Sequence, residues 1–145
     1  MTDLQILRTM HPPEIFLEQI TVLNEEIGRA ISTDFLREKL DALPRSDRLL
    51  LAVEGDYLVG YAHLSIRKDL TGSDPVEIVD LIVRRASRRH GIGRQLLAAA
   101  ETWARASNQS ALLVRMPVPD TNAHAFLSAL HFDQLRITLE FVRPL

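Results

Sequence analysis

Val76–Ala106 reads VEIVDLIVRRASRRHGIGRQLLAAAETWARA. An apolar run, Val76–Val83, reads as a strand covered on both faces. A cluster of arginines follows, then Gly91-Ile92-Gly93, then a helical pattern with Leu96, Leu97, Ala100, Trp103 and Ala104 on one side. Strand, glycine turn and helix in that order form an anion-binding device. Glycine lets backbone N–H groups approach a ligand closely, and a helix start adds partial positive charge. Arg84, Arg85, Arg88, Arg89 and Arg94 crowd the same turn in a chain of net charge -2. A local positive site on a mildly acidic protein points to a phosphate-bearing ligand rather than to diffuse attraction for polyanions.

Around that stretch the composition is that of an ordinary globular protein, with 46% hydrophobic and 25% charged residues. At 145 residues the expectation is one domain, 1–145. The absence of cysteine excludes disulfides, thiolate metal sites and a cysteine nucleophile. No apolar run approaches the roughly 20 residues of a membrane helix. The N-terminal MTDLQILRTMHPPE lacks the charged start and apolar core of a secretion signal, so a cytoplasmic location is expected.

Outward from the glycine turn, Asp3–Arg8 reads as a first strand. Pro12 and Pro13 precede a helix over Glu14–Ala30 with a stripe of Phe16, Ile20, Leu23, Ile27 and Ile31. Ser32-Thr33-Asp34 caps a second helix ending near Leu43-Pro44. Arg48–Glu54 and Tyr57–Arg67 are strands joined at Gly55-Asp56. Lys68–Pro75 is a loop. Ala111–Met116 is a strand ended by Pro117 and Pro119, Asp120-Thr121-Asn122 caps a helix through Leu130, and Gln134–Val142 alternates as a final strand. This order is an α+β fold with a mixed sheet.

Other glycine loops fit the turn less well. A Walker-type loop needs Lys-Ser or Lys-Thr after its last glycine, where Arg94-Gln95 stands; a dinucleotide fingerprint needs a small residue where Leu96 stands. Arg88-Arg89-His90-Gly91-Ile92-Gly93 has the spacing Arg/Gln-x-x-Gly-x-Gly/Ala, which resembles the central motif of the GNAT superfamily of acyl-CoA-dependent N-acyltransferases. Leu81-Ile82-Val83 resembles that family's apolar fourth strand. Asn122-Ala123-His124-Ala125-Phe126-Leu127-Ser128-Ala129-Leu130-His131-Phe132 resembles its second motif. The element order from Leu49 onward agrees.

The resemblance implies a GNAT-like, mostly antiparallel mixed sheet with helices on both faces. It implies acetyl-CoA as co-substrate, with the diphosphate on N–H groups of Arg89, His90, Gly91, Ile92, Gly93 and Arg94, and with Arg88 at the motif's first position. The pantetheine arm would lie along Leu81, Ile82 and Val83, and Asn122 stands near where the family contacts this ligand. The implied reaction is attack by a neutral amine on the thioester. Glu77 and Asp80 match positions where members keep a carboxylate base. Leu127 stands where many members place a tyrosine that protonates the leaving thiolate, and leucine donates no proton. A non-catalytic acyl-CoA-binding module of the same fold is the alternative. His131 replaces a glycine that commonly ends a helix in the left-handed region, which histidine adopts with strain.

Tyr61, His63 and Ser65 share one strand face. His63 is either a base facing the acceptor or a histidine held by a hydrogen bond, the second being favoured. His124 reads as a surface helix residue and Trp103 as core. The five histidines show no pair at metal-ligand spacing, so no metal is expected. The arginine run lacks interleaved aromatics, which argues against nucleic acid. His11–Asp41 holds seven acidic residues against three basic ones. As the wall of an acceptor site it would favour a cationic small-molecule or peptidyl amine; as solvated helix faces it would have no such role. With a single late strand, a second copy completing the sheet edge as a homodimer is the remaining expectation.

Overall fold

The computed structural model describes residues 3–67, 70, 74–116 and 120–145. The chain forms two compact units, Met1–Arg115 and Met116–Leu145.

The first unit is built on a five-stranded sheet in the order β1-β2-β3-β4-β5: Leu4–Thr9, Arg48–Glu54, Tyr57–Ile66, Val76–Val83 and Leu112–Val114. The first four strands pair antiparallel, and β5 joins β4 in parallel. Helices α1 (Glu14–Glu25) and α2 (Thr33–Asp41) lie between β1 and β2, and α3 (Ile92–Ala106) lies between β4 and β5. On one face Phe16, Ile20 and Leu23 of α1 pack with Leu49, Leu51, Leu58, Tyr61 and Ile82, edged by Leu36 and Leu40 of α2. On the other face α3 buries Ile92, Leu96, Leu97, Ala100, Trp103 and Ala104. Period-two alternation along β2 and β3 sends Leu49 and Tyr61 to the first face and Leu50, Ala62 and Leu64 to the second. The glycine at position 60 permits α3 to approach. A Cβ there would stand 3.0 Å from Ile82 O, 3.3 Å from Ile92 Cγ2 and 3.4 Å from Leu96 Cδ1. Gly60→Ala is expected to destabilise the protein by about 1–3 kcal/mol, measured by denaturant unfolding, because backbone on one side and helix on the other must both yield.

Helix α1 stops at Glu25, five residues short of the span expected from its apolar stripe. Gly28 takes φ +83, and the N–H of Arg29 donates to Asn24 O at 2.9 Å, closing the helix with a left-handed turn. Ile27 is consequently exposed. Ser32 caps α2 as its sequence implies, its side chain accepting from Phe35 N at 3.0 Å. Strand β5 covers only the middle of the expected Ala111–Met116. Pro117, Pro119 and most of the Lys68–Pro75 loop lie outside the described residues.

In the second unit, α4 spans Thr121–Ala129 and Asp120 is its N-cap, accepting from Ala123 N at 3.0 Å. His131 closes that helix at φ +67, the strained conformation its position demands. The expected strand over Gln134–Val142 does not form: residues 132–145 have no regular secondary structure. Alternation selects a face, but a ladder partner is what holds a strand. Among the described residues none pairs with this segment, and Leu135, Ile137, Leu139 and Phe141 are exposed.

Candidate functional site

The turn between β4 and α3 is held by its arginines. Arg84 Nε donates to Leu58 O at 2.9 Å and its guanidinium stacks 4.3 Å from the Tyr57 ring centroid. Arg85 binds Glu26 twice, by its own N–H and by its guanidinium. Arg88 Nε donates to Val83 O at 3.2 Å. Three of the five arginines thus clamp main chain or a carboxylate and fix the path of the turn. A short 3₁₀ turn over Arg85–Ser87 then leads to two left-handed residues, Arg89 at φ +65 and Gly91 at φ +78, the latter being the N-cap of α3. Ile92 drives its side chain into the core at 4% exposure, which anchors the helix start.

Among the described hydrogen bonds, none uses the N–H of Arg89, His90, Gly91, Ile92, Gly93 or Arg94 as donor; the first helical bond runs from Gln95 N to Gly91 O. Any helix leaves its first N–H groups unpaired. Here the left-handed residues extend that run backwards around the turn, the geometry that gathers donors on an anion. Beside it, β4 is paired to β3 along its length, but its ladder to β5 covers only Val76, Glu77 and Ile78. Among the described residues the other edge of β4 is therefore open along Val79–Val83. Such an edge can pair with an extended chain, and the turn at its end can accept an anion.

Strand β4 also carries the titratable groups. Glu77 pairs with Ser65 and Asp80 with His63 across the ladder, and the register shifts between His63 and Leu64. Residues three apart on a regular strand point to opposite faces. The extra residue on β4, exposed Val79, restores both carboxylates to the α1 face, as a bulge does. That face also holds Tyr61, His63 and Ser65.

Each of these groups has a defined neighbour. Asp80 Oδ1 accepts from Arg29 NH1 at 2.8 Å. That bond is the main reason the Arg29 guanidinium is held above its ordinary pKa. Buried Asn24 donates to Tyr61 OH at 2.9 Å, while burial raises the Tyr61 phenol above its usual value. Glu77 Oε1 lies 3.2 Å from Arg115 Nε, yet the alignment is not that of a hydrogen bond; among the described residues no hydrogen bond reaches this buried oxygen. His63 Nε2 lies 2.7 Å from Asp47 Oδ2.

The residues expected from sequence are therefore brought together in one unit: the turn Arg88–Arg94, the strand segment Leu81–Val83, and the pair Glu77 and Asp80. Asn122 is exposed in the first turn of α4, and the capping oxygen is that of Asp120 two residues earlier. His124 is exposed and Trp103 buried, as read from their patterns. Sequence reasoning missed Asp47, Asn24 and Arg29. Asp47 follows a turn with no periodicity, and only its burial at 3% marks it. A polar Asn24 beside the apolar stripe of α1 was the one available signal. Among the described residues no group of three or more His, Asp or Glu side chains is placed to hold a metal ion, and no helix is long and apolar enough to cross a membrane.

Residues 11–132 match the model of the acetyltransferase (GNAT) family. The chain belongs to this family. An aminoglycoside N(6')-acetyltransferase type 1 from Stenotrophomonas maltophilia is 33% identical over 101 residues, which cover 67% of this GNAT chain and 65% of that relative. The chain thus spans about two thirds of that protein's length. Among solved structures, aminoglycoside N-acetyltransferase AAC(6')-Iy in complex with a bisubstrate analog is similar to this GNAT chain at a TM-score of 0.83 and 17% identity, covering 99% of this chain and all of that one. An integron cassette protein from the mobile metagenome of V. cholerae is similar at 0.81 and 21%, covering 97% and 92%. At these identities the structures establish the fold, an α+β sheet flanked by helices as the sequence implied.

Proposed function

We propose that residues 1–145 act as one domain that transfers the acetyl group of acetyl-CoA to a primary amine by direct attack. The observation that carries this reading is the run of N–H groups from Arg89 to Arg94 that have no partner among the described residues, at the end of the β4 segment whose edge is open among those residues. When bound, acetyl-CoA supplies a reactive thioester carbonyl. Arg89–Arg94 would hold its diphosphate, with Arg88 bracing the turn, and main-chain groups of Leu81–Val83 would pair with its arm. An N–H on that open edge would also stabilise negative charge developing on the thioester oxygen.

Glu77 and Asp80 are the proposed catalytic carboxylates. A protonated amine has no lone pair, so the acceptor face must remove a proton. Each carboxylate has a guanidinium beside it, but only the Arg29–Asp80 pair is a hydrogen bond, which leaves Glu77 the freer of the two to assist. Both draw a cationic acceptor, together with the acidic α1–α2 segment. The resemblance to aminoglycoside acetyltransferases supports a polyamine-like small molecule over a peptidyl lysine. We read the protein as cytoplasmic and homodimeric, with no nucleic-acid or membrane partner. The exposed apolar row Leu135, Ile137, Leu139 and Phe141 supports the homodimer, and light scattering in solution tests it.

Thiol release from acetyl-CoA with a panel of an aminoglycoside, a polyamine and a lysine peptide tests the activity. Release with the aminoglycoside is expected. Tight CoA binding with no release from any amine would favour the non-catalytic module, the reading that Leu127 supports by supplying no proton to the departing thiolate.

A further inference from the structure

His63 is the centre of a polar cluster that the carboxylate pair leaves unused. Its Nε2 lies 2.7 Å from Asp47 Oδ2, and Ser65 Oγ donates to Asp47 Oδ1 at 2.9 Å. The Asp47 side chain is 4% exposed and that of His63 is 18% exposed. Both carboxylate oxygens are committed, and an ionised carboxylate only accepts. The shared proton therefore belongs to Nε2, and the lone pair of the neutral ring is on Nδ1. His63 stands directly across the ladder from Asp80. Side chains so opposed have Cβ atoms about 5 Å apart.

We propose that His63, locked in this tautomer by Asp47 and Ser65, is where the proton released by the acceptor amine comes to rest. The proposal depends on the acyltransferase reading above. An imidazole is a stronger base than a carboxylate by about two pH units, and a proton acceptor works best near the working pH. As the C–N bond forms and the C–S bond breaks, the amine nitrogen loses one proton. The carboxylate row receives it first and Nδ1 of His63 holds it. The electron pair of the C–S bond stays on sulfur, which is protonated from water, and the imidazolium returns its proton to water. Asp47, ahead of β2, touches the ring; the other titratable or charged groups on that sheet face are Asp80 and Glu77 on β4, Tyr61 on β3, and Arg29 through Asp80. His63 thus acts through the carboxylates, as a positioning and proton-holding residue.

Two measurements test it. Ring ¹⁵N NMR on the protein without substrate should show Nε2 protonated throughout while Nδ1 alone titrates, and Asp47→Asn should mix the tautomers. With neamine and acetyl-CoA, kcat/KM of the unaltered protein should fall as pH drops through that titration. His63→Gln should lower kcat by about tenfold or more and abolish this acid limb, with CoA affinity and circular dichroism unchanged. If Asp47→Asn does not fold, Ser65→Ala serves in its place, with a smaller change in the same direction. A neutral ring protonated on Nδ1, or a His63→Gln protein that keeps both rate and acid limb, overturns the proposal alone. An unaltered protein that releases no thiol with any amine overturns the acyltransferase reading and this proposal together.

Discussion

Gly91→Val is expected to lower acetyl-CoA affinity by about tenfold to a hundredfold, the equivalent of about 1.4 to 2.8 kcal/mol. Gly91 stands at φ +78, and a Cβ built on it meets nothing within 4 Å. The penalty is therefore conformational rather than a clash. An L-residue in the left-handed region costs about 1–2 kcal/mol, and a β-branched one is an outlier there. The chain relieves this by rotating the Gly91 peptides, which turns the N–H groups of Arg89–Arg94 away from a common point. Calorimetric titration with CoA reads the effect. Gly28→Val is the control: its φ of +83 and open surroundings match those of Gly91, but it ends α1 instead of forming the turn. It should cost similar stability with a much smaller loss of CoA affinity, because it touches the turn only indirectly, through the Glu26–Arg85 contacts. Equal CoA affinity in the Gly91 variant and the parent would mean that the turn does not grip the diphosphate.

Glu77→Gln is expected to lower turnover by about a hundredfold while CoA affinity stays unchanged, since general-base assistance contributes about 10²–10⁴ in rate. The amide keeps the size of the side chain and the Ser65 cross-strand neighbour but cannot take a proton. Asp80→Asn should cost less, because Asp80 is already held in a hydrogen bond by Arg29, whereas the Arg115 guanidinium beside Glu77 makes none to it. It should chiefly raise KM for cationic amines. Steady-state thiol release with separate titration of each substrate distinguishes the two. Equal kcat losses at both positions would contradict the division of roles argued from Arg29.

Much of this architecture was legible because it is local. The arginine-flanked Gly91-Ile92-Gly93 carries its own geometry, and Ile92 and Leu96 announce the buried side of α3. The alternation of Tyr61, His63 and Ser65 announces one sheet face. Legibility failed at one helix stop and where strand pairing was needed. The apolar stripe of α1 ran on through Ile27, but Gly28 ended the helix first. Gln134–Val142 alternates along its length, yet among the described residues no ladder holds it.

The same division separates the two halves of the site. Local chemistry determined the turn proposed to hold phosphate, since glycine, arginine and a helix start act within a few residues of one another. Only the tertiary structure decided the proposed acceptor face. Glu77 and Asp80 share a face because β4 carries one residue more than β3 opposite His63 and Leu64. Asp47 reaches His63, and Arg29 reaches Asp80, across 16 and 51 residues of chain. Register and such long-range bonds depend on how whole strands pack and pair, so no short window of sequence contains them.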